Sequence, residues 1–367
     1  MRIVVKVGSN IVASGSDGLN ARRIGAIAAS IAGAQAMGHE VVVVSSGAIA
    51  AGMRRLGLRH KPRDIKHKQA SAAVGQPALM WMYEKSFMRH ERHVAQVLLT
   101  RDGLSDRRPY INSKNTIFTL LSRGIIPIIN ENDTVATDEI RFGDNDQLAS
   151  MVAALIEADR LVILSDVDGL YSDDPRKRRG AKLIGTVEEI TPEMLEKAGS
   201  AGSEVGTGGM YSKLLAADRA TRAGITVNII NGRKPRLLVS ILKGESHGTE
   251  FRPRQSRLPA RKGWIAFGIR TKGSIVLDDG ARRALAEQGK SLLPSGIVSV
   301  EGSFRTGDAV YCLDAAGNRI AKGLTNYSSE EIEKIKGRKT SEIEQALGYR
   351  YSDEVIHRDN VVILKGT

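Results

Sequence analysis

The chain has 367 residues, enough for two domains with a sizeable core, and its 41% hydrophobic and 26% charged residues exclude a disordered or collagen-like chain. No apolar run of about 18 residues occurs, which excludes a helical membrane span, and a single cysteine, Cys312, excludes an internal disulfide, while the seven histidines never join it in zinc-ligand spacing. The formal charge of +13 is uneven: +11 over residues 1–120, −3 over 121–242, +6 over 243–272, −1 over 273–353 and zero beyond. Clustered Lys and Arg concentrate anions, nucleic acid or small polyanions alike. Solubility accounts for such a surplus equally well, and the C-terminal part is not its source.

Met1-Arg-Ile-Val-Val-Lys6 opens directly into a strand-like run, Ile3–Val7. It lacks the basic head, apolar stretch and cleavage site of a secretory signal, so a soluble cytoplasmic protein is expected. Ile24, Ile27, Ile31 and Ala34 recur at helical spacing between Asn20 and Met37, and Gly38 is a natural stop. Val41–Val44 is a second, fully apolar strand, as expected in a parallel sheet covered on both faces. Further helices are predicted near 70–90, 113–123, 146–157 and 211–224. They alternate with strands Val94–Leu99, Ile125–Ile129, Arg160–Leu164 and Ile225–Ile230. The repeat of strand, glycine, helix and strand predicts an α/β/α sandwich with a largely parallel sheet.

After Asn231-Gly232 the texture changes. Residues 243–262 are polar and basic with two prolines and no period, as in a linker or surface loop. Short strand-like pieces follow at Trp264–Ile269, Ser274–Leu277, Gly296–Glu301, Ala309–Leu313 and Ile320–Thr325, with a hairpin loop at Asp314–Asn318 and short helices at 280–288 and 328–336. The expected division is a catalytic domain over 1–245, a basic linker over 246–272, a small mostly-β domain over 273–352 and a tail over 353–367.

Glycines cluster at strand ends: Gly8, Gly47, Gly52, Gly143, Gly169 and Gly206-Thr-Gly-Gly209. Without a Cβ the backbone can approach a ligand, and several such turns at carboxyl ends of strands point to a crevice there. No GxxxxGK[ST] motif occurs and no GxGxxG follows the first strand, so neither a P-loop nor a dinucleotide fold is expected. Lys6 interrupts an apolar strand, where it needs an anion or a snorkelling path. Lys213 stands in the first turn of a helix, where the dipole disfavours a cation unless a phosphate offsets it. Two such lysines suit phosphoryl transfer. Asn130-Glu-Asn-Asp-Thr134 and Phe142-Gly-Asp-Asn-Asp146 could hold an ammonium, position a metal or orient lysines, or form solvated Asx turns. Asp146 fits the orienting role, because a carboxylate acceptor is ionised at neutral pH and needs no base.

Val5-Lys-Val-Gly-Ser9, Val44-Ser-Ser-Gly-Ala-Ile-Ala-Ala-Gly52, Lys68-Gln-Ala-Ser-Ala-Ala-Val-Gly-Gln76, Ile129-Asn-Glu-Asn-Asp133, Gly143-Asp-Asn-Asp146, Asp168-Gly-Leu-Tyr171 and Gly206-Thr-Gly-Gly-Met210 follow one another in an order and spacing that resembles the bacterial glutamate 5-kinases. The resemblance runs almost end to end, with an amino acid kinase domain over about 1–240 and a PUA domain over 273–352. It implies transfer of the γ-phosphoryl of ATP, with Mg2+ held mainly by the ATP phosphates, to the side-chain carboxylate of L-glutamate, the first step of proline synthesis. It further implies that Lys6 and Lys213 stabilise the migrating group and Asp146 holds them. Ser46, Asp133, Asn145 and Asn130 would then bind glutamate. Lys6, Gly8, Ser165, Asp166, Thr207, Gly208, Gly209, Met210, Tyr211, Ser212 and Lys213 would line the ATP site. L-Proline as feedback inhibitor, a homodimer or homotetramer, and functional coupling to glutamate-5-semialdehyde dehydrogenase are implied in the same way. Sister kinases acting on N-acetylglutamate, aspartate, carbamate or uridylate are the rival reading. RNA binding by the PUA-like domain is another, against which the near-neutral charge of 273–353 speaks.

Overall fold

The computed structural model describes residues 1–13, 18–58, 60, 62, 64–135, 145–175, 178, 180–200, 209–253 and 260–364. The chain divides into two units, Met1–Arg257 and Leu258–Thr367. In the first, eight strands among the described residues form one sheet in the order β3-β4-β2-β1-β5-β7-β8-β6. They are β1 (Arg2–Val7), β2 (Glu40–Ser45), β3 (Val94–Leu99), β4 (Ile126–Glu131), β5 (Arg160–Ser165), β6 (Thr186–Val187), β7 (Thr226–Asn231) and β8 (Thr249–Phe251). All pairings are parallel except β7 with β8.

β1, β2 and β5 are buried on both faces in every residue after the first, which explains their unbroken apolar sequences. β1 lies between β2 and β5, so the chain leaves it first toward β2 and returns on its other side as β5. A crevice at the carboxyl ends of β1, β2, β4 and β5 follows from that reversal. The helices are α1 (Ser9–Val12), α2 (Ala21–Ala36), α3 (Ala48–Arg55), α4 (Ile65–Met88), α5 (Arg101–Ser105), α6 (Arg107–Ser122), α7 (Asn145–Leu155), α8 (Pro192–Ser200), α9 (Met210–Arg222) and α10 (Leu237–Leu242). Asn20 caps α2 by accepting from the Arg23 N–H at 2.9 Å, and Asp64 caps α4 by accepting from the His67 N–H at 2.9 Å. Ile24, Ile27, Ile31 and Ala34, the expected apolar stripe of α2, are all fully buried.

α3 is absent from the sequence expectation. Its eight residues include Gly52 and carry no side-chain cap, so isolated helix formation is unfavourable. Packing on α4 makes it a helix. A Cβ on Gly52 would stand 1.7 Å from the Ser71 carbonyl oxygen, and one on Gly75 would stand 1.8 Å from that of Ala48. Two glycines thus let the helix backbones touch. Gly47, just before α3, has φ +109 and would place a Cβ 2.6 Å from Val12 Cγ2, so the turn out of β2 also requires glycine.

The second unit holds a five-stranded sheet among the described residues, in the order β10-β9-β11-β12-β13. Its strands are β9 (Thr271–Leu277), β10 (Ile297–Gly302), β11 (Ala309–Leu313), β12 (Arg319–Leu324) and β13 (Val361–Ile363). They enclose a core that includes Ile275, Val310, Cys312, Tyr327 and Ile332. Burial pushes the Cys312 thiol up to about 12, so it is an inert packing group. The architecture is the α/β sandwich plus small mostly-β domain read from the sequence.

Three local readings differ. Trp264–Ile269, expected as a strand, contains a π-helix at Trp264–Gly268. An apolar run this short has no period to distinguish helix from strand, and the buried Lys322 ammonium on β12 binds the carbonyls of Ala266 and Ile269 at 3.4 and 2.5 Å. Thr249–Phe251, inside the expected linker, pairs with both β6 and β7. Val361–Ile363, inside the expected tail, pairs with β12. Strands of three residues take their hydrogen bonds from partners far along the chain, so local sequence barely marks them.

Candidate functional site

The crevice gathers charge that an apolar core rejects unless it is compensated. Lys6, on β1, is 2% exposed, and Lys213, on α9, is 5% exposed. Asp146 stands between them at the start of α7, fully buried. Its Oδ1 is ion-paired with the Lys6 ammonium, and its Oδ2 accepts from Lys213 Nζ at 3.1 Å and from Ser212 Oγ at 3.1 Å. One carboxylate therefore holds two cations side by side. The cation that the dipole at the start of α9 would repel is accounted for by this ion pair.

Around the clamp lie groups that suit phosphates. Gly209 precedes α9 with no side-chain cap, so the first amides of that helix point outward. At Gly8 a Cβ would stand 3.8 Å from Lys6 Nζ, in ordinary contact, so this glycine lies directly beside the ammonium. Ser165 is 3% exposed at the end of β5 and receives the Gly232 N–H on its carbonyl at 2.7 Å. Asp166 is exposed and accepts from Asn10 Nδ2 at 3.2 Å. Met210, Tyr211 and Ser212 form the first turn of α9 with Lys213. Thr207 and Gly208, together with Gly143, Asp144 and Gly206, lie outside the described residues.

Hydrogen bonds from Asn145 to Asn130 and from Asn130 to Gln76 connect the clamp to a cavity of about 280 Å3, whose walls include Ala48, Gln76, Gln96, Glu131, Asn132 and Asp133. Of the residues expected to bind the acceptor, Asp133 lines it directly. Burial, and then the Glu131 carboxylate beside it, push the Asp133 carboxyl up to about 7. Asn130 and Asn145, 3% and 5% exposed, form the frame behind the clamp: Asn145 Nδ2 donates to Asn130 Oδ1 at 2.8 Å. Ser46 is 7% exposed beside Gly47, with its amide donating to the Val7 carbonyl at 3.1 Å.

Several side chains that complete this arrangement escaped the sequence reading. Asn231 Nδ2 donates to Asp168 Oδ1 at 3.0 Å, and this bond first, with Lys234 and Tyr171 nearby, holds the Asp168 carboxyl below its ordinary range. Tyr83, fully buried, shares a 2.8 Å hydrogen bond with Ser45 Oγ and supports the turn that carries Ser46. Gln76 lies inside the Lys68–Gln76 motif, but only the register of α4 against β4 brings it to the cavity.

Residues 1–231 match the model of the amino acid kinase family, and residues 273–347 match that of the PUA domain. The glutamate 5-kinase of Geobacter sulfurreducens is 52% identical over 363 residues, covering 99% of this chain and 97% of its own length. The glutamate 5-kinase of Syntrophotalea carbinolica is 50% identical over 364 residues, with the same coverage, and that of Thermoanaerobacter sp. is 50% identical over 365 residues, or 100% of this chain and 98% of its own.

Proposed function

This chain belongs to the glutamate 5-kinase family, amino acid kinases with an appended PUA domain, and on that premise we propose that it transfers the γ-phosphoryl of ATP to the side-chain carboxylate of L-glutamate. The observation that carries the reading is the buried carboxylate of Asp146 bridging Lys6 and Lys213, next to a cavity with acidic walls. Lys6 and Lys213 neutralise the oxygens of the migrating phosphoryl group, and Asp146 sets their spacing. Gly8, Ser165, Asp166 and the segment Thr207–Lys213 receive the nucleotide, while Mg2+ travels on its phosphates. Ser46, Asp133 and Asn145 hold the amino acid, with Asn130 behind them. The ionised carboxylate attacks in line: its oxygen bonds to the γ-phosphorus as the bond to the β,γ-bridging oxygen breaks, giving L-glutamyl 5-phosphate and ADP. Positioning and charge neutralisation do the work, and no general base is required.

L-Proline as feedback inhibitor, a homodimeric or homotetrameric assembly, a cytoplasmic location and coupling to glutamate-5-semialdehyde dehydrogenase accompany this reading. ADP release from Mg-ATP, compared with L-glutamate, N-acetylglutamate, aspartate and UMP in the presence of hydroxylamine, tests it. Turnover with glutamate alone, trapped as glutamyl hydroxamate, is expected. Turnover with a different acceptor only would overturn the assignment of Ser46, Asp133 and Asn145.

The Asp133 carboxyl adds a pH signature. It must be ionised to hold an ammonium, and it titrates at about 7, so binding weakens as the pH falls through that value. The KM for glutamate is expected to rise roughly tenfold per unit below about pH 6.5, the limiting slope for one proton. Asp133→Asn removes this dependence; a KM profile that stays flat in the wild type, or persists in the variant, contradicts the role.

A further inference from the structure

The orientation of a side-chain amide is ordinarily ambiguous, because its oxygen and nitrogen are nearly indistinguishable. Here the main chain decides it. Asn145 Nδ2 donates to the carbonyl of Ser45, which can only accept. Asn130 Oδ1 accepts from the N–H of Glu131 at 2.9 Å, which can only donate, and from Asn145 Nδ2. Asn130 must therefore present Nδ2 to Gln76, whose Oε1 accepts at 2.8 Å. The polarity propagates: Gln76 Nε2 is left as the donor on the far side, giving one hydrogen to Gln96 Oε1 at 3.1 Å. An amide nitrogen carries two hydrogens, and both Gln76 and Gln96 line the cavity.

The cavity wall thus combines an N–H donor of fixed direction with the carboxylates of Glu131 and Asp133. That combination fits a zwitterion, with the ammonium toward the acidic residues and a carboxylate toward the amide. The reacting carboxylate must face the phosphoryl group that Lys6 and Lys213 neutralise, and Gln76 is set back from that clamp by Asn130 and Asn145. The carboxylate that reaches Gln76 is therefore the one on the α-carbon. We propose that Gln76 is a specificity-determining residue that donates a hydrogen bond from Nε2 to the α-carboxylate of the acceptor amino acid, in an orientation imposed by Asn130 and Asn145. The proposal rests on the reading of the acceptor given above.

Gln76→Glu separates recognition from scaffolding. The new side chain has the same shape and still accepts from Asn130 Nδ2, but it offers the cavity an acceptor instead of a donor. L-Glutamate is compared with its α-amide, which keeps the reacting carboxylate and presents an amide where glutamate has a carboxylate. The ratio of kcat/KM for glutamate over the α-amide is expected to fall by roughly 10- to 100-fold in the variant, as for loss of a hydrogen bond to a charged group. The KM for ATP should stay within about twofold, since the change is remote from the phosphates. Where thermal melting shows Gln76→Glu unfolded, Gln76→Met takes its place, with the ratio expected to fall about tenfold for a lost donor without added charge. An unchanged ratio in a folded variant, with both acceptors slowed equally or not at all, overturns the assignment of Gln76. A wild-type enzyme inactive on glutamate overturns the acceptor reading instead, so the two failures are distinct.

Discussion

Lys213→Ala is expected to lower kcat by about 100- to 1000-fold, the usual effect of deleting one donor aimed at charge that develops in a transition state. The KM for glutamate should hardly move, because the acceptor's cavity does not include Lys213. The remaining Asp146 keeps Lys6 and Ser212 as partners, so the loss reads on chemistry rather than folding. Lys213→Arg is not expected to rescue it. The ammonium is a compact point charge in a site only 5% exposed, and a planar guanidinium on a longer stem needs room and a different geometry. Single-turnover kinetics with trapped acyl phosphate would check this. A kcat within about threefold of wild type would remove Lys213 from the transition state.

Asp146→Asn carries the largest expected cost to stability. The amide keeps the shape of the carboxylate but not its charge, so the two buried ammonium groups lose the anion they share. Removing one partner of a buried ion pair costs about 3–5 kcal/mol, and here a single carboxylate serves two cations. Urea unfolding should show a deficit of that order at neutral pH. Adding Lys213→Ala to the variant should recover part of the loss, because one of the two like charges disappears. A deficit below about 1 kcal/mol would mean that the site relaxes or hydrates without the carboxylate. The exposed pair Lys197–Glu193, with side chains 68% and 73% exposed, is the internal control, since solvent already screens it.

Part of the site was legible because it violates local rules. A lysine inside Val4-Val-Lys-Val7 and a lysine in the first turn of a glycine-led helix are both costly where they stand. Each cost pointed to an anion. Gln76, Asn231 and Tyr83 broke no rule: a glutamine on a long helix, an asparagine after a strand and a tyrosine among apolar residues are ordinary. Their roles depend on which atoms of other elements they meet, and no period or composition records that. α3 is a similar case. Its helical state follows from contact of the Gly52 and Gly75 backbones across two elements, whereas eight residues with a glycine and no side-chain cap are too few to hold a helix by themselves.

The sequence by itself determined the class of fold and the kind of chemistry. Unbroken apolar strands require cover on both faces, and the resulting crossover helices leave a crevice at their carboxyl ends. Tertiary structure alone decided the geometry of the contacts between Asp146 and the lysines and which way the amides point. Asp146 meets Lys213 across 67 positions of chain, and the direction of Gln76 descends from main-chain groups of Ser45 and Glu131. Burial, ion pairing and hydrogen-bond polarity are properties of atoms brought together in space, and the order of residues along the chain does not contain them until it has folded.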